Sequence, residues 1–107
     1  MKILLDECVT KKLKRFITNH QCFTVSDMKW DGLRNGNLMS KSVENDFDLL
    51  LTIDKNLQYQ QNIGKYNLIV VVFNTGSSKI EVMELFLENF KSQIDSFEKR
   101  KAYLIQK

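Results

Sequence analysis

Short uninterrupted apolar runs, separated by segments of helical periodicity, are the feature that most constrains this fold. Residues 49–53 are apolar apart from Thr52, and residues 68–73 form a second run rich in β-branched side chains. A strand that is apolar at every position is buried on both faces, which is typical of a parallel sheet covered by helices. The sequence therefore predicts an α/β fold, a three-layer α/β/α sandwich around a central, mainly parallel sheet of about five strands.

Weaker patterns predict the remaining elements. Short apolar runs indicate further strands at residues 1–5, 23–25 and 102–105. Apolar residues at helical spacing indicate helices over residues 9–17, around residues 38–43, and over residues 80–97. The segment Ser78 to Glu81 fits a capping box and predicts where the long helix begins. Val82 and Leu85 lie beside the apolar stripe of that helix, which indicates either a homodimer face or a wider core face.

Length and composition limit the class of protein. With 107 residues, 43% of them hydrophobic, the chain is expected to form one domain over residues 1–107. The formal net charge of +3 permits contact with phosphates without requiring it. No apolar run reaches the roughly 18 residues that a membrane span needs. The first run turns acidic at Asp6, unlike a signal peptide. These features predict a cytoplasmic protein that does not enter a membrane.

Polar side chains end the predicted strands. They are Asp6, Glu7, Thr52, Asp54 and Asn74. Because the carboxyl ends of parallel strands meet at one edge of a sheet, these side chains are expected to lie close together. Grouped carboxylates repel one another unless a cation or a proton offsets their charge. Oxygen ligands without histidine or thiolate favour Mg²⁺ or Mn²⁺. The alternative is that each acid only caps the helix that follows it.

A run of basic residues lies in the first predicted helix. Its members are Lys11, Lys12, Lys14 and Arg15. Such a face suits the phosphate backbone of a nucleic acid, although an ordinary solvated helix face has the same composition. Candidates for stacking on bases are Trp30, Arg34 and Tyr59.

Three further motifs stand out in the sequence. They are KILLDE at residues 2–7, WDGL at residues 30–33 followed by Asn35-Gly36, and, most specifically, LTIDKNLQYQQN at residues 51–62. Together they resemble the motifs of short bacterial PIN-like domains. The resemblance implies a PIN-like fold and a metal-dependent ribonuclease that hydrolyses RNA phosphodiesters. Many bacterial members of that family are toxins of VapBC-like toxin–antitoxin pairs, so a small antitoxin protein is the implied partner.

The resemblance also implies roles for individual residues. Asp6 and Asp54 match the acids that bind Mg²⁺ or Mn²⁺, and Thr52 is expected to orient Asp54. The residues that follow match the rest of the motif and would bind RNA or brace the site; they are Asn56, Gln60 and Gln61.

One position departs from the family pattern. Relatives carry an acid after the Asn-Gly pair, where this chain has Asn37. An amide keeps an oxygen ligand but loses a charge, so metal affinity is expected to fall unless Glu7 compensates. The alternative function is therefore a catalytically weak or inactive PIN-like module that binds RNA or a protein.

A phosphoacceptor receiver-like domain would also have strand-end acids. That fold needs a lysine beside them after the last strand, and Lys107 ends this chain.

Overall fold

Five parallel strands form one sheet in the computed structural model, which describes residues 1–59 and 62–107. The strands are β1 (Lys2–Leu5), β2 (Gln21–Thr24), β3 (Leu49–Thr52), β4 (Ile69–Phe73) and β5 (Lys101–Ile105). They lie in the order β2-β1-β3-β4-β5, and each of the pairings is parallel. The chain is thus a compact α/β domain, and the predicted parallel sheet of five strands is confirmed.

Within the described residues, two α-helices and several 3₁₀ helices connect the strands. The α-helices are α1 (Asn35–Glu44) and α2 (Ile80–Gln93). The 3₁₀ helices are Lys11–Phe16, Lys55–Tyr59, Ile63–Lys65 and Ile94–Ser96. The first of these replaces the α-helix predicted over residues 9–17. Of its predicted apolar positions, Val9, Leu13 and Ile17 lie in the core, whereas Phe16 is only partly buried against it.

The start of α2 differs from the predicted capping box. Lys79 is the N-cap residue, and no side-chain hydrogen bond caps the helix. Ser78 lies one residue too early for a capping box, and the amides of Val82 and Met83 bond the carbonyl of Lys79. The predicted apolar stripe is confirmed as core. Its buried members are Met83, Phe86, Leu87, Phe90, Ile94 and Phe97.

Apolar side chains cover the sheet on both faces. Alternate strand residues such as Leu5 and Leu51 pack in one core with α2, whereas Leu4 and Leu50 pack in a second core with residues of α1. This alternation follows from the two-residue repeat of a strand. It explains why the central strands are apolar at every position.

Outside the cores, α2 leaves Leu85 55% exposed, while Val82 packs against the first core. The homodimer stays a prediction. Across residues 1–59 and 62–107, no helix combines the length and apolarity needed to cross a membrane.

Candidate functional site

A cleft opens at the carboxyl ends of the adjacent strands β1 and β3. These two strands form the topological switch point of the sheet. From β1 the chain passes to β2 on one side, and β3 then lies on the other side of β1. In open α/β sheets, ligands bind in the crevice at such a switch point. The cleft has a volume of about 450 Å³, and both Asp6 and Asp54 line it. The sequence prediction that these two acids meet at one edge of the sheet is therefore confirmed.

Thr52 links the two acids. Its side chain is fully buried, and its hydroxyl donates to Oδ2 of Asp6 at 2.7 Å. The hydroxyl oxygen of Thr52, Oγ1, accepts a hydrogen bond from the backbone amide of Asp54 at 3.0 Å. The other carboxylate oxygen of Asp6, Oδ1, accepts the amide of Glu7 at 2.7 Å. Thr52 thus fixes the carboxylate of Asp6 and the backbone, rather than the carboxylate, of Asp54.

Asp54 also begins the helix that follows it. Its Oδ1 accepts the backbone amide of Asn56 at 3.0 Å, in the first turn of the 3₁₀ helix Lys55–Tyr59. The sequence left open whether this acid caps a helix or lies at a ligand site. In the structure Asp54 caps the 3₁₀ helix and also lines the cleft. Asn56 lines the cleft as well. The predicted roles of Gln60 and Gln61 lie outside the described residues.

Glu7 holds a loop against the site. Its Oε1 accepts the backbone amide of Gly32 at 3.0 Å, and Glu7 itself lines the cleft. Gly32 has a φ of +88°, a conformation that side chains of L residues rarely adopt. The glycine therefore lets the loop between β2 and α1 turn its amide towards Glu7.

Cys8 lines the cleft beside Asp6 and the buried Thr52. Its sulfur is 3.4 Å from Oγ1 of Thr52 and 3.7 Å from Oδ2 of Asp6. Partial burial raises the pKa of the Cys8 thiol, and the negative charge of Asp6 raises it further, against hydrogen bonds with Thr52 and Ile53 that lower it. A thiol whose pKa is raised is mostly protonated at neutral pH and is a poor nucleophile.

The start of α1 supplies the opposite wall of the cleft. Arg34, the N-cap residue of α1, and Asn35 both line it, together with Leu33 and Leu38. The sequence prediction gave Arg34 only a role in base stacking and did not include Asn35. A usable signal was present, because a helix that follows a parallel strand begins at the carboxyl edge of the sheet.

Two other predicted residues, Asn37 and Asn74, do not line the cleft. Asn37 is exposed in the first turn of α1 and does not line the cleft. Asn74 bonds the side chain of Gln106 at 2.8 Å, which directs its amide towards the end of β5. Asn37 remains a predicted site residue on the resemblance alone.

The basic run divides into residues with different surroundings. Lys11 lines a second, smaller cleft together with Asp6 and Glu7. Lys14 forms an ion pair of 2.7 Å with Asp27. Lys12 and Arg15 are exposed, and neither lines a cleft beside the acids.

The donor set at the cleft fits Mg²⁺ or Mn²⁺. Each carboxylate oxygen can accept two hydrogen bonds or metal contacts. Asp6 accepts bonds from Glu7, Thr52 and Cys8, so one lone pair, on Oδ1, stays free. Among residues 1–59 and 62–107, no three histidine, cysteine, aspartate or glutamate side chains are grouped closely enough to hold a metal ion. Mg²⁺ is commonly bound by only one or two carboxylates, with water and substrate phosphates completing its shell. Asp6 and Asp54 meet that smaller requirement.

No model of a known protein family matches this chain, and neither do any of the curated proteins or solved structures compared with it. The PIN-like resemblance therefore stays a prediction that rests on the motifs themselves.

Proposed function

We propose that this protein is a metal-dependent ribonuclease of PIN-like type with a three-layer α/β/α fold, acting in the cytoplasm as the toxin of a toxin–antitoxin pair. The single observation that carries the proposal is the pairing of Asp6 and Asp54 at the ends of adjacent strands in one cleft, bridged by the buried hydroxyl of Thr52. The toxin assignment and the antitoxin partner rest on the sequence motifs.

Asp6 and Asp54 would hold Mg²⁺ or Mn²⁺ in this mechanism. The bound cation supplies Lewis acidity at the scissile phosphate. Thr52 keeps the carboxylate of Asp6 in place by donating to it, so that little reorganisation is needed when substrate binds. Arg34 stands at the cleft wall, where its guanidinium suits a phosphate oxygen.

The apolar wall of the cleft supports a nucleotide as the ligand. Leu33, Leu38 and Leu57 line the cleft beside the charged groups. A nucleotide carries both a flat apolar base and a charged phosphate, and this cleft offers a surface for each.

A receiver-like phosphoacceptor shares the observed strand order, but Lys107 does not line the cleft.

The test is cleavage of a mixed pool of single-stranded RNA by the purified protein. We expect cleavage with Mg²⁺ or Mn²⁺, none with EDTA, and none by the Asp54→Asn variant with either metal. Asp46→Asn is the matched control. Asp46 is exposed at the end of α1, and its φ of 64° suits asparagine as well as aspartate. Cleavage that persists in Asp54→Asn or in EDTA would rule out this mechanism.

The second candidate function is a PIN-like module with little or no turnover that binds RNA or a protein. The observation that favours it is Asn37, a neutral and exposed side chain where the resemblance expects an acid of the site. Such a module would bind RNA with Mn²⁺ present and leave the pool uncut.

The variant Asn37→Asp tests whether residue 37 is a position of the metal site that lacks its acidic ligand or an ordinary surface position. Asn35 and Leu38 line the cleft on either side of Asn37 along α1, so a new carboxylate there adds negative charge near the acids. We expect the variant to reach half-maximal cleavage at a severalfold lower Mn²⁺ concentration. Identical Mn²⁺ titrations would remove Asn37 from the site. Aspartate would then only stabilise the first turn of α1, by about 0.3–1 kcal/mol.

A further inference from the structure

A further cleft lies at the opposite edge of the sheet from Asp6 and Asp54. One side of it is the turn that ends in His20, directly before β2, and the other side is the end of α2 with the 3₁₀ helix that follows. Lys2, at the start of β1, pairs with Gln21, at the start of β2, so this cleft lies at the amino edge of the sheet. The four residues of β1 separate it from Asp6 by roughly 13 Å, at about 3.3 Å per residue.

The size and lining of this amino-edge cleft suit a small molecule. Its volume of about 320 Å³ lies at the lower end of the range for pockets that enclose small organic ligands, about 300–1,000 Å³. Three core residues, Ile17, Phe90 and Ile94, form the apolar part of its lining. The other lining residues are polar or charged, and they are Thr18, Asn19, His20, Lys91 and Asp95. A matching ligand has a short apolar part and a polar part.

Two opposite charges in the cleft, those of Lys91 and Asp95, are not used in ion pairs within residues 1–59 and 62–107. Both residues are exposed. They are four positions apart, about one helical turn, at the junction of α2 with the 3₁₀ helix. A lysine that precedes an acid by four positions is the weaker orientation for pairing along a helix. Both charges are therefore available to a ligand.

His20 adds a hydrogen-bonding group that is mostly uncharged. Partial burial lowers the pKa of its imidazole below the usual 6.5, and the positive amino group of the chain lowers it further, against Asp95, which raises it. At neutral pH the side chains that line the cleft thus carry one positive and one negative charge. A ligand with a single charge would bring a like charge close to one of these two residues, whereas a zwitterion offers an opposite charge to each.

We propose that the amino-edge cleft binds a small zwitterion of the amino-acid type with an apolar side chain, such as leucine. Asp95 binds the ammonium group of the ligand, and Lys91 binds its carboxylate. The apolar side chain packs against Ile17, Phe90 and Ile94. This site is independent of the proposed function, because it shares no residue with the cleft at the carboxyl edge.

An NMR titration of the isotope-labelled protein with L-leucine at neutral pH tests this assignment. Two analogues each lack one charge, since L-leucinamide has no carboxylate and isocaproate has no ammonium group. The variants are Asp95→Asn, with Asp46→Asn as its control, and Lys91→Gln, with Lys41→Gln as its control. Lys41 is exposed in the last turn of α1, as Lys91 is in the last turn of α2, so the two changes differ only in location.

We expect L-leucine to shift the amide signals of residues 17–20 and 90–95 in wild type and in both controls. Affinity for L-leucine should fall severalfold in Asp95→Asn and in Lys91→Gln. Wild type should bind either analogue severalfold more weakly than L-leucine. Asp95→Asn should lose the preference for L-leucine over isocaproate, because the group that recognises the ammonium is gone.

Three results would overturn the assignment. One is that millimolar L-leucine shifts no signal from residues 17–20 or 90–95. Another is that both analogues bind as tightly as L-leucine. The third is that the control variants lose as much affinity as Asp95→Asn and Lys91→Gln. Cleavage of RNA is measured separately and does not depend on any of these results.

Discussion

Replacing Thr52 by Val should reduce the free energy of unfolding by about 1–3 kcal/mol, the usual cost of leaving buried polar groups without a partner. Valine fills the same space, so the change removes the hydroxyl with little change in packing. Asp6 would lose its 2.7 Å donor and the amide of Asp54 would lose its acceptor. Because the same hydroxyl fixes the Asp6 carboxylate, affinity for Mn²⁺ should fall as well. Urea unfolding and Mn²⁺ calorimetry measure the two effects.

Two controls separate the hydroxyl of Thr52 from hydroxyls in general. Thr52→Ser keeps the hydroxyl and should retain Mn²⁺ affinity, while losing about 0.8 kcal/mol for the missing methyl group. Ser42→Ala removes another fully buried hydroxyl, one that donates to the carbonyl of Leu38 within α1. It should leave Mn²⁺ affinity unchanged. If Thr52→Val binds Mn²⁺ as tightly as wild type, Thr52 does not position the site.

The strands and the meeting of the acids could be predicted because both follow from simple rules. The runs at residues 49–53 and 68–73 have no polar face to expose, so a parallel sheet was the consistent fold. Once the strands are parallel, an acid directly after one strand lies at the same edge as an acid after its neighbour. This rule alone predicted that Asp6 and Asp54 lie at the same edge of the sheet.

The contacts that complete the site could not be predicted in this way. Thr52 bonds Asp6 across 46 positions of sequence, and Glu7 bonds the amide of Gly32 across 25. Such bonds depend on the register of strands and on the path of a loop, neither of which a local pattern contains. The capping box at Ser78 failed for a related reason, since a shift of one residue at the helix start removes the geometry it requires.

Asp6→Asn and Asp54→Asn should each weaken Mn²⁺ binding by at least about tenfold. A change to a residue that only supports a metal ligand already costs about that much affinity, and a change to the ligand itself should cost no less. Each variant removes one of the two carboxylates that line the cleft at adjacent strand ends. An amide keeps an oxygen but offers no charge to offset that of the cation. If the acids share one ion, the two losses should not add, because the first change already removes most of the site.

The most direct measurement is therefore calorimetric titration of Mn²⁺ into wild type, both single variants and the double variant, with Asp46→Asn as the control for a lost surface charge. Our account predicts one bound Mn²⁺ per chain in wild type and in Asp46→Asn, and a strong loss of Mn²⁺ affinity in either single variant. The double variant should bind Mn²⁺ no more weakly than the weaker-binding single variant. An isotherm unchanged by either Asp6→Asn or Asp54→Asn would show that these two residues do not hold a common ion.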